Sequence, residues 1–290
     1  MYEIRTDLAL ENSEKYKSDN VEIQGVVIEE SYEEEMDLTV TVVEIVDKHG
    51  EHMMGKPQGT YITLESSYLL MNNNEIHEKI AKVLYEKLQK LIAGKNIKSI
   101  LIVGLGNREV TPDALGPVTV DHLKINRHLV QIKEENDSQM LLSSLAPGVM
   151  AQTGMETTEI VRGVVKETNP DLMLVVDALA SRSMYRLNRT IQIANTGINP
   201  GSGVKNHRLG LNQEIMGIPV IAIGVPTVVD AAAIVYDAVN GLMDKEQSEK
   251  VMEEIITQEL HQMFVTTKDV DEAISMLGIL IANAINMILE

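Results

Sequence analysis

The chain has 290 residues, 44% of them hydrophobic, which is enough to bury the core of one large α/β domain or of two small ones. Its 43 acidic and 25 basic side chains give a net charge of −18, so we expect it to bind neither nucleic acid nor anionic membranes directly. The absence of cysteine excludes disulfides, thiolate metal sites and cysteine nucleophiles.

The first part of the chain predicts an arm, then a meander, then a helix. Residues 1–20 are polar and without period, which is typical of a flexible arm. Alternating β-branched segments within about residues 21–66 predict an antiparallel β-meander. Apolar residues recur at helical spacing from Ile76 to Ile92, and Gly94 stands where that helix would end.

Three uninterrupted apolar runs follow, separated by helical patterns: SILIVGLGN (99–107), LMLVVDALA (172–180) and IPVIAIGVP (218–226). Such runs are typical of a parallel sheet that is buried on both faces. The predicted fold class is therefore α/β, phosphorylase/hydrolase-like, with a mostly parallel central sheet covered by helices and an amino-terminal antiparallel meander.

Helices are predicted between and after these runs. Thr153 and Glu156 have capping-box spacing, which predicts a helix that begins near Gly154. The segment TVVDAAAIVYDAV after the third run predicts another helix, and residues 245–290 predict two more. No export signal and no run of the ~20 apolar residues that span a membrane is apparent, so a cytoplasmic location is expected.

Polar residues stand just after each apolar run, where ligands bind in sheets of this class. Asn107 and Asp113 follow the first run, Asp177 the second, and Thr227 and Asp230 the third. Asp177 adjoins a buried run, so its carboxylate must be paired, neutralised or used in chemistry. Both Asp113 and Asp177 could instead be ordinary caps of turns or helices.

Other motifs are less informative. Gly104 and Gly106 begin a dinucleotide-binding pattern, but Glu109 occupies the place of its third glycine, which disfavours that function. The loop TGINPGSG (196–203) could bind an anion and present Ser202 as a nucleophile, although a structural loop is favoured. No HExxH spacing occurs, so a zincin is excluded and a metal site would have to consist mostly of carboxylates.

Five segments in order resemble the germination proteases of spore-forming bacteria: GLGNREVTPDALGP, LAPGVMAQTGMET, VVDALASRS, TIQIANTGINPGSGV and GIPVIAIGVPTVVDA. The resemblance implies a homotetrameric endopeptidase, made as a zymogen in the spore core, that degrades small acid-soluble spore proteins. It also implies a fold similar to that of hydrogenase maturation endopeptidases. The segment RTDLALE resembles a propeptide junction between Asp7 and Leu8, so residues 1–7 would be a propeptide and residues 8–290 a single protease domain.

The family's two essential aspartates fall on Asp113 and Asp177. Two carboxyl groups in contact titrate at separate pH values, so one could take a proton from water while the other polarises the peptide carbonyl. This chemistry needs no metal or other cofactor. From their positions after the strands and in the resembling segments, the loop residues expected near the substrate are Gly106, Asn107, Gly148, Ser202 and Thr227.

Two alternatives stay open. A metal-dependent peptidase could use Asp113, Asp177 and Asp230 as oxygen ligands. A noncatalytic relative could bind peptides without cutting them. The chain carries Asn199 where many relatives have His, and Asn195 where they often have Asp. The missing histidine weakens the metal interpretation and is also compatible with reduced activity.

Overall fold

The computed structural model describes residues 6–17, 23–130, 140–198, 209–240, 255, 260 and 263–289. Within them lies one nine-stranded sheet with helices on its faces. Its strands are β1 (Val26–Glu33), β2 (Leu38–Ile45), β3 (Gly59–Ser66), β4 (Ser99–Gly104), β5 (Leu141–Leu145), β6 (Leu172–Ser181), β7 (Thr190–Ala194), β8 (Val220–Asp230) and β9 (Phe264–Val265).

The sheet has two halves. Strands β8, β6, β4 and β5 are mutually parallel, whereas β1, β2, β3 and β7 form an antiparallel meander. Strand β7 pairs antiparallel with β8 and so joins the two halves into one sheet, in the order β1-β2-β3-β7-β8-β6-β4-β5. The α/β class and both kinds of strand pairing predicted from the sequence are confirmed.

The three apolar runs form β4, β6 and β8, but the last two strands are longer than the runs. Strand β6 continues past Asp177 to Ser181, and β8 continues to Asp230, because the two strands keep pairing as far as Ser181 and Val229. Asp177 and Thr227 therefore lie within strands, and the prediction that they follow strand ends is wrong. The helix predicted from TVVDAAAIVYDAV is present over Ala231–Asn240, but it begins four residues later than predicted for the same reason.

The helices in the described residues are α1 (Ala9–Lys17), α2 (Lys48–Met54), α3 (Asn74–Ile92), α4 (Leu115–Asp121), α5 (Arg127–Val130), α6 (Met150–Thr153), α7 (Thr157–Thr168), α8 (Gln213–Met216), α9 (Ala231–Asn240) and α10 (Val270–Asn286). The main core lies between α3, α4, α10 and one face of the sheet. A second core packs α7 and α8 on the other face of the parallel half.

Helix α7 begins three residues later than the capping-box spacing predicted. The short helix α6 ends at Gly154, whose φ of 71° is left-handed and stops the helix. Glu156 then precedes α7, and the backbone N–H of Glu156 donates to the carboxylate of Glu159 at 3.1 Å. The acid that was expected inside the helix is thus its cap.

The amino-terminal arm is helical and docked over its described part, which corrects the expectation of a flexible arm. Leu8 and Ala9 are both 0% exposed, and Leu10 is also buried. Helix α1 contacts α2 and β2, with Ala9 in an apolar cluster of the meander. The segment is polar on average, but it contains a short apolar stretch, Leu8 to Leu10, and burial of that stretch anchors the arm.

Helix α10 and the turn after it, residues Val270 to Leu289, are long and apolar enough to span a membrane, contrary to the expectation that no such run exists. The helix instead packs on α3 and α4, and Leu277, Ile281 and Ile285 are fully buried there. It is a core helix in this structure. Of the other helix predicted near the carboxyl end, most of residues 246–264 lie outside the described residues, and Phe264 belongs to β9.

Candidate active site

A cavity of about 530 Å³ opens where β4 ends and reaches across β6 and β8 to the meander. Residues from both halves of the sheet line it. Those used below are Asp7, Lys56, Tyr61, Gly106, Asp113, Gly148, Asp177, Ala180, Gln192 and Thr227. The predicted site residues Gly106, Asp113, Gly148, Asp177 and Thr227 are thus brought together in one place.

Asp113 ends a tight 3-10 turn, Thr111–Asp113, in the loop after β4. The backbone N–H of Asp113 donates to the carbonyl of Val110 at 2.7 Å, and its own carbonyl accepts from the N–H of Asn107 at 3.0 Å. Gly106 has a φ of 111°, and a Cβ at that position would lie 1.9 Å from the Asp113 carbonyl oxygen. Only glycine therefore allows the loop to fold back this closely.

Asp177 lies in the interior of β6, opposite Gly224 of β8, and is 7% exposed. Its Oδ1 accepts from the N–H of Ala178 at 2.9 Å. The turn that carries Asp113 contacts both β6 and β8. A buried strand thus fixes one carboxylate, and a loop held against the same strand places the other in the same cavity.

Thr227 positions the loop that carries Asp113. It is 0% exposed, and its hydroxyl donates to the carbonyl of Pro112 at 2.6 Å. The Thr227 carbonyl in turn accepts from the hydroxyl of Thr266 at 2.7 Å. Two successive hydrogen bonds therefore connect the segment after β9 to the residue next to Asp113.

The other predicted site residues either do not line the cavity or lie outside the described residues. The Oδ1 of Asn107 accepts from the N–H of Glu109 at 3.0 Å and from Nε2 of Gln152 at 2.9 Å, so Asn107 braces the loop rather than lining the cavity. Asp230 accepts from the N–H of Ala232 at 2.8 Å, at the start of α9. Ser202, like Asn199, lies outside the described residues.

The chain's own residue 7 occupies the meander side of the cavity. The backbone N–H of Asp7 donates to the carbonyl of Ala180 at 2.9 Å, and the N–H of Ala180 donates to Asp7 Oδ2 at 2.9 Å. The Asp7 carbonyl accepts from Lys56 Nζ at 3.0 Å and from Gln192 Nε2 at 3.2 Å. The N–H of Ala9 donates to Gln192 Oε1 at 2.7 Å. The peptide bond between Asp7 and Leu8 is therefore held in the same cavity as the two aspartates.

A partly buried ion-pair network fixes the arm beyond this bond. Glu11 is 2% exposed and accepts from the N–H groups of Arg182 at 2.8 Å and Ser183 at 3.0 Å. Arg186 donates to Glu11 at 3.2 Å and to Glu14 at 2.6 Å. Burial lowers the pKa of Arg186, but its carboxylate partners outweigh burial and raise the pKa overall. The network holds α1 by charge as well as by packing.

Lys56 and Gln192 are site residues that the sequence predictions missed. Although part of Lys56 is exposed, its ammonium group is surrounded by protein; burial lowers the pKa of Lys56, and the charges of Asp7 and Glu11 oppose that shift. Gln192 is a polar side chain in the middle of the buried strand β7, and this is the one signal that could have identified it. Lys56 lies in a turn and carried no signal.

Tyr61, like Lys56, lines the cavity, and its side chain is uncharged. Burial raises the pKa of Tyr61 to about 12, and its hydroxyl donates to the carbonyl of Pro57 at 2.8 Å. Within the described ranges, no three His, Cys, Asp or Glu side chains form a group that could hold a metal ion. The set proposed for a metal-dependent peptidase, Asp113, Asp177 and Asp230, is therefore not assembled.

Fold and site together define an α/β protein whose acidic cavity holds a peptide backbone. The family model described as germination protease matches residues 3–245. Curated germination proteases are also similar over nearly the whole chain. That of Caldanaerobacter subterraneus subsp. tengcongensis is 43% identical, over 99% of this chain and 94% of its own length. That of Clostridium perfringens is 42% identical, over 100% of this chain and 96% of its own length.

This chain belongs to the germination protease family, and it is accordingly a peptidase. Among solved structures, the [NiFe] hydrogenase maturation protease HycI from Thermococcus kodakarensis is 18% identical, covering 68% of this chain and 97% of its own. Its TM-score of 0.35 is too low to establish a common fold. The α/β class of this chain rests on its own sheet.

Proposed function

We propose that this peptidase is an endopeptidase that starts the degradation of small acid-soluble spore proteins during germination, with Asp113 and Asp177 activating water. The observation that carries the proposal is that both aspartates and the chain's own Asp7 line one cavity, in which Lys56 binds the Asp7 carbonyl. The family name supports a protease that acts in germination, the resemblance noted above suggests the substrate class, and the cavity supplies carboxylates beside a bound backbone.

The proposed reaction is hydrolysis. One carboxylate of the Asp113–Asp177 pair takes a proton from water as the water oxygen adds to the carbonyl carbon. The carbonyl electron pair moves to oxygen; when it returns, the C–N bond breaks and the leaving nitrogen takes a proton from a carboxylic acid of the pair. The products are a new carboxylate and a new amine, and no metal or other cofactor takes part.

The same chemistry would convert a zymogen into the mature enzyme. Residue 7 already lies in the cavity, so cutting after Asp7 would remove residues 1–7 and leave residues 8–290 as the protease. The proposal includes assembly as a homotetramer in the spore core, in line with the resemblance noted above. The arm's hydrogen bonds to Ala180 and Gln192 would also keep other peptides out of the cavity until it is cut.

Asparagine variants test the aspartate pair. Asp113→Asn and Asp177→Asn keep the side-chain shape but remove a proton acceptor, so each is expected to slow digestion of a purified small acid-soluble spore protein by about 10²–10⁴-fold. The measurement is the initial rate of fragment formation by gel and mass spectrometry, with circular dichroism to verify folding.

Asp271→Asn is the matched control, because Asp271 is exposed in the first turn of α10, does not line the cavity and should keep the unmodified rate. Folded Asp113→Asn or Asp177→Asn protein that digests the spore protein at the unmodified rate would refute the aspartate mechanism. An unmodified chain that never cuts a spore protein, but cuts other proteins, would refute the substrate assignment.

A further inference from the structure

Two hydrogen-bond donors converge on a single carbonyl oxygen in the cavity. The oxygen is that of Asp7, and its partners are Lys56 Nζ at 3.0 Å and Gln192 Nε2 at 3.2 Å. One donor is a cation from the turn before β3, and the other is an amide in β7. The carbonyl belongs to the peptide bond that the proposed function would cut.

Gln192 contacts the backbone on both sides of Leu8. Its Nε2 donates to the carbonyl before Leu8, and its Oε1 accepts the N–H of Ala9 at 2.7 Å. Both contacts are to main-chain atoms, which every peptide presents. Gln192 can therefore hold any extended peptide in this register, whatever its side chains.

The position of Lys56 is energetically informative. An ammonium group surrounded by protein is costly, and a neutral carbonyl compensates for only part of that cost. The negative charges near it are those of Asp7 and Glu11. An oxygen that becomes negative 3.0 Å from the ammonium would interact with it far more strongly than the neutral carbonyl does.

We propose that Lys56 and Gln192 form the oxyanion site of this peptidase, binding the oxygen of the carbonyl that is cut. The proposal rests on the proposed function, since it takes the Asp7–Leu8 bond as a substrate. Water adds to the Asp7 carbonyl carbon, its proton goes to the aspartate pair, and the carbonyl electron pair becomes a negative charge on oxygen between the two donors. The charge returns to re-form the carbonyl as the bond to the Leu8 nitrogen breaks.

Methionine variants remove each donor while keeping an unbranched side chain of similar length. Lys56→Met and Gln192→Met are each expected to lower kcat, the first-order rate constant of self-cleavage, by about 10²–10³-fold, the usual effect of deleting one oxyanion donor. The substrate is the chain's own Asp7–Leu8 bond, and the readout is the rate at which each full chain releases its residue 1–7 fragment, followed by mass spectrometry. Lys79→Met, which alters an exposed ion pair on α3, is the control and should keep the unmodified kcat.

Lys56→Arg separates charge from shape. The ammonium of Lys56 loses its proton as the pH rises through its lowered pKa, so kcat of the unmodified chain should fall at alkaline pH. A guanidinium stays charged there, so Lys56→Arg should recover part of the kcat and keep it to higher pH. Thermal unfolding shows whether each variant is folded.

The outcomes separate this proposal from the function on which it rests. If the unmodified chain cuts and Asp113→Asn does not, but both methionine variants retain kcat within twofold, or Lys56→Arg loses kcat at the same alkaline pH as the unmodified chain, then Lys56 and Gln192 merely hold the arm and the oxyanion proposal is overturned. If the unmodified chain cuts no peptide, the proposed function itself fails.

Discussion

The two walls of the cavity come from different halves of the sheet and carry opposite chemistry. The parallel half supplies acids, Asp113 from the loop after β4 and Asp177 from β6. The antiparallel half supplies donors, Lys56 before β3 and Gln192 in β7. The mixed sheet therefore does what neither half could do alone, because it places proton acceptors and hydrogen-bond donors in one cavity.

The walls also differ in how their side chains are held. On the acid wall, formed by Asp113 and Asp177, the position of Asp113 depends on backbone contacts of a tight loop with Gly106 and Thr227. On the donor wall, Gln192 stands on a strand whose hydrogen bonds are already complete on both sides. We infer that the acid wall is the more sensitive of the two to small changes of backbone.

Among the variants that test this difference between the two walls, Gly106→Ala is expected to lower activity the most. The added Cβ would collide with the Asp113 carbonyl, and alanine is strained at a φ of 111°, so the loop must move. A displacement of about 1 Å at a catalytic group can lower activity about 10²-fold, and we expect a loss of that size in kcat/KM on a spore protein.

Gly163→Ala is the control for this change. Gly163 lies in α7 with open space around its Cβ position, and alanine is the better helix former there by roughly 1 kcal/mol. That variant should unfold at a slightly higher temperature and keep full activity. An active Gly106→Ala variant would mean that the acid wall is not sensitive to its loop.

A smaller effect is expected from Thr227→Val, which removes one hydroxyl without changing shape. The carbonyl of Pro112 then loses its donor, at a cost of about 1–3 kcal/mol, and the Asp113 loop loosens. We expect about a tenfold fall in kcat, measured as release of the residue 1–7 fragment from the full chain, and recovery in Thr227→Ser.

Thr168→Val removes a similar hydroxyl-to-carbonyl bond at the end of α7 and should leave kcat unchanged. If Thr168→Val and Thr227→Val slow the reaction equally, the effect comes from general loosening and the positioning role of Thr227 is wrong.

Chelation of divalent metals is expected to leave the rate of spore-protein digestion unchanged. The acid wall presents Asp113 and Asp177 without a third carboxylate in a metal-binding group among the described residues. Spore-protein digestion should therefore proceed at the same rate after exhaustive dialysis against EDTA. A loss of activity that Mg²⁺, Mn²⁺ or Zn²⁺ restores would make the acid wall a metal site.

The acid wall was accessible to prediction and the donor wall was not. Buried apolar runs identify the strands of a parallel sheet directly, and an acid beside such a run attracts attention, as Asp177 did. Strands β5 and β7 were missed because each is five residues long and LLSSL is not continuously apolar. Lys56 and Gln192 meet residue 7 only through pairing across β3, β7 and β8, and no local pattern encodes that pairing.

The burial of Leu8, Ala9 and Leu10 has a consequence for the moment after self-cleavage. The fragment that ends at Asp7 would be retained by hydrogen bonds that water can replace, whereas the new amino terminus would stay anchored by apolar side chains and by Glu11. Burial of each leucine is worth roughly 1.5–3 kcal/mol, so the two cut ends should separate without any refolding of α1. Self-cleavage would therefore empty the cavity as soon as the fragment that ends at Asp7 dissociates.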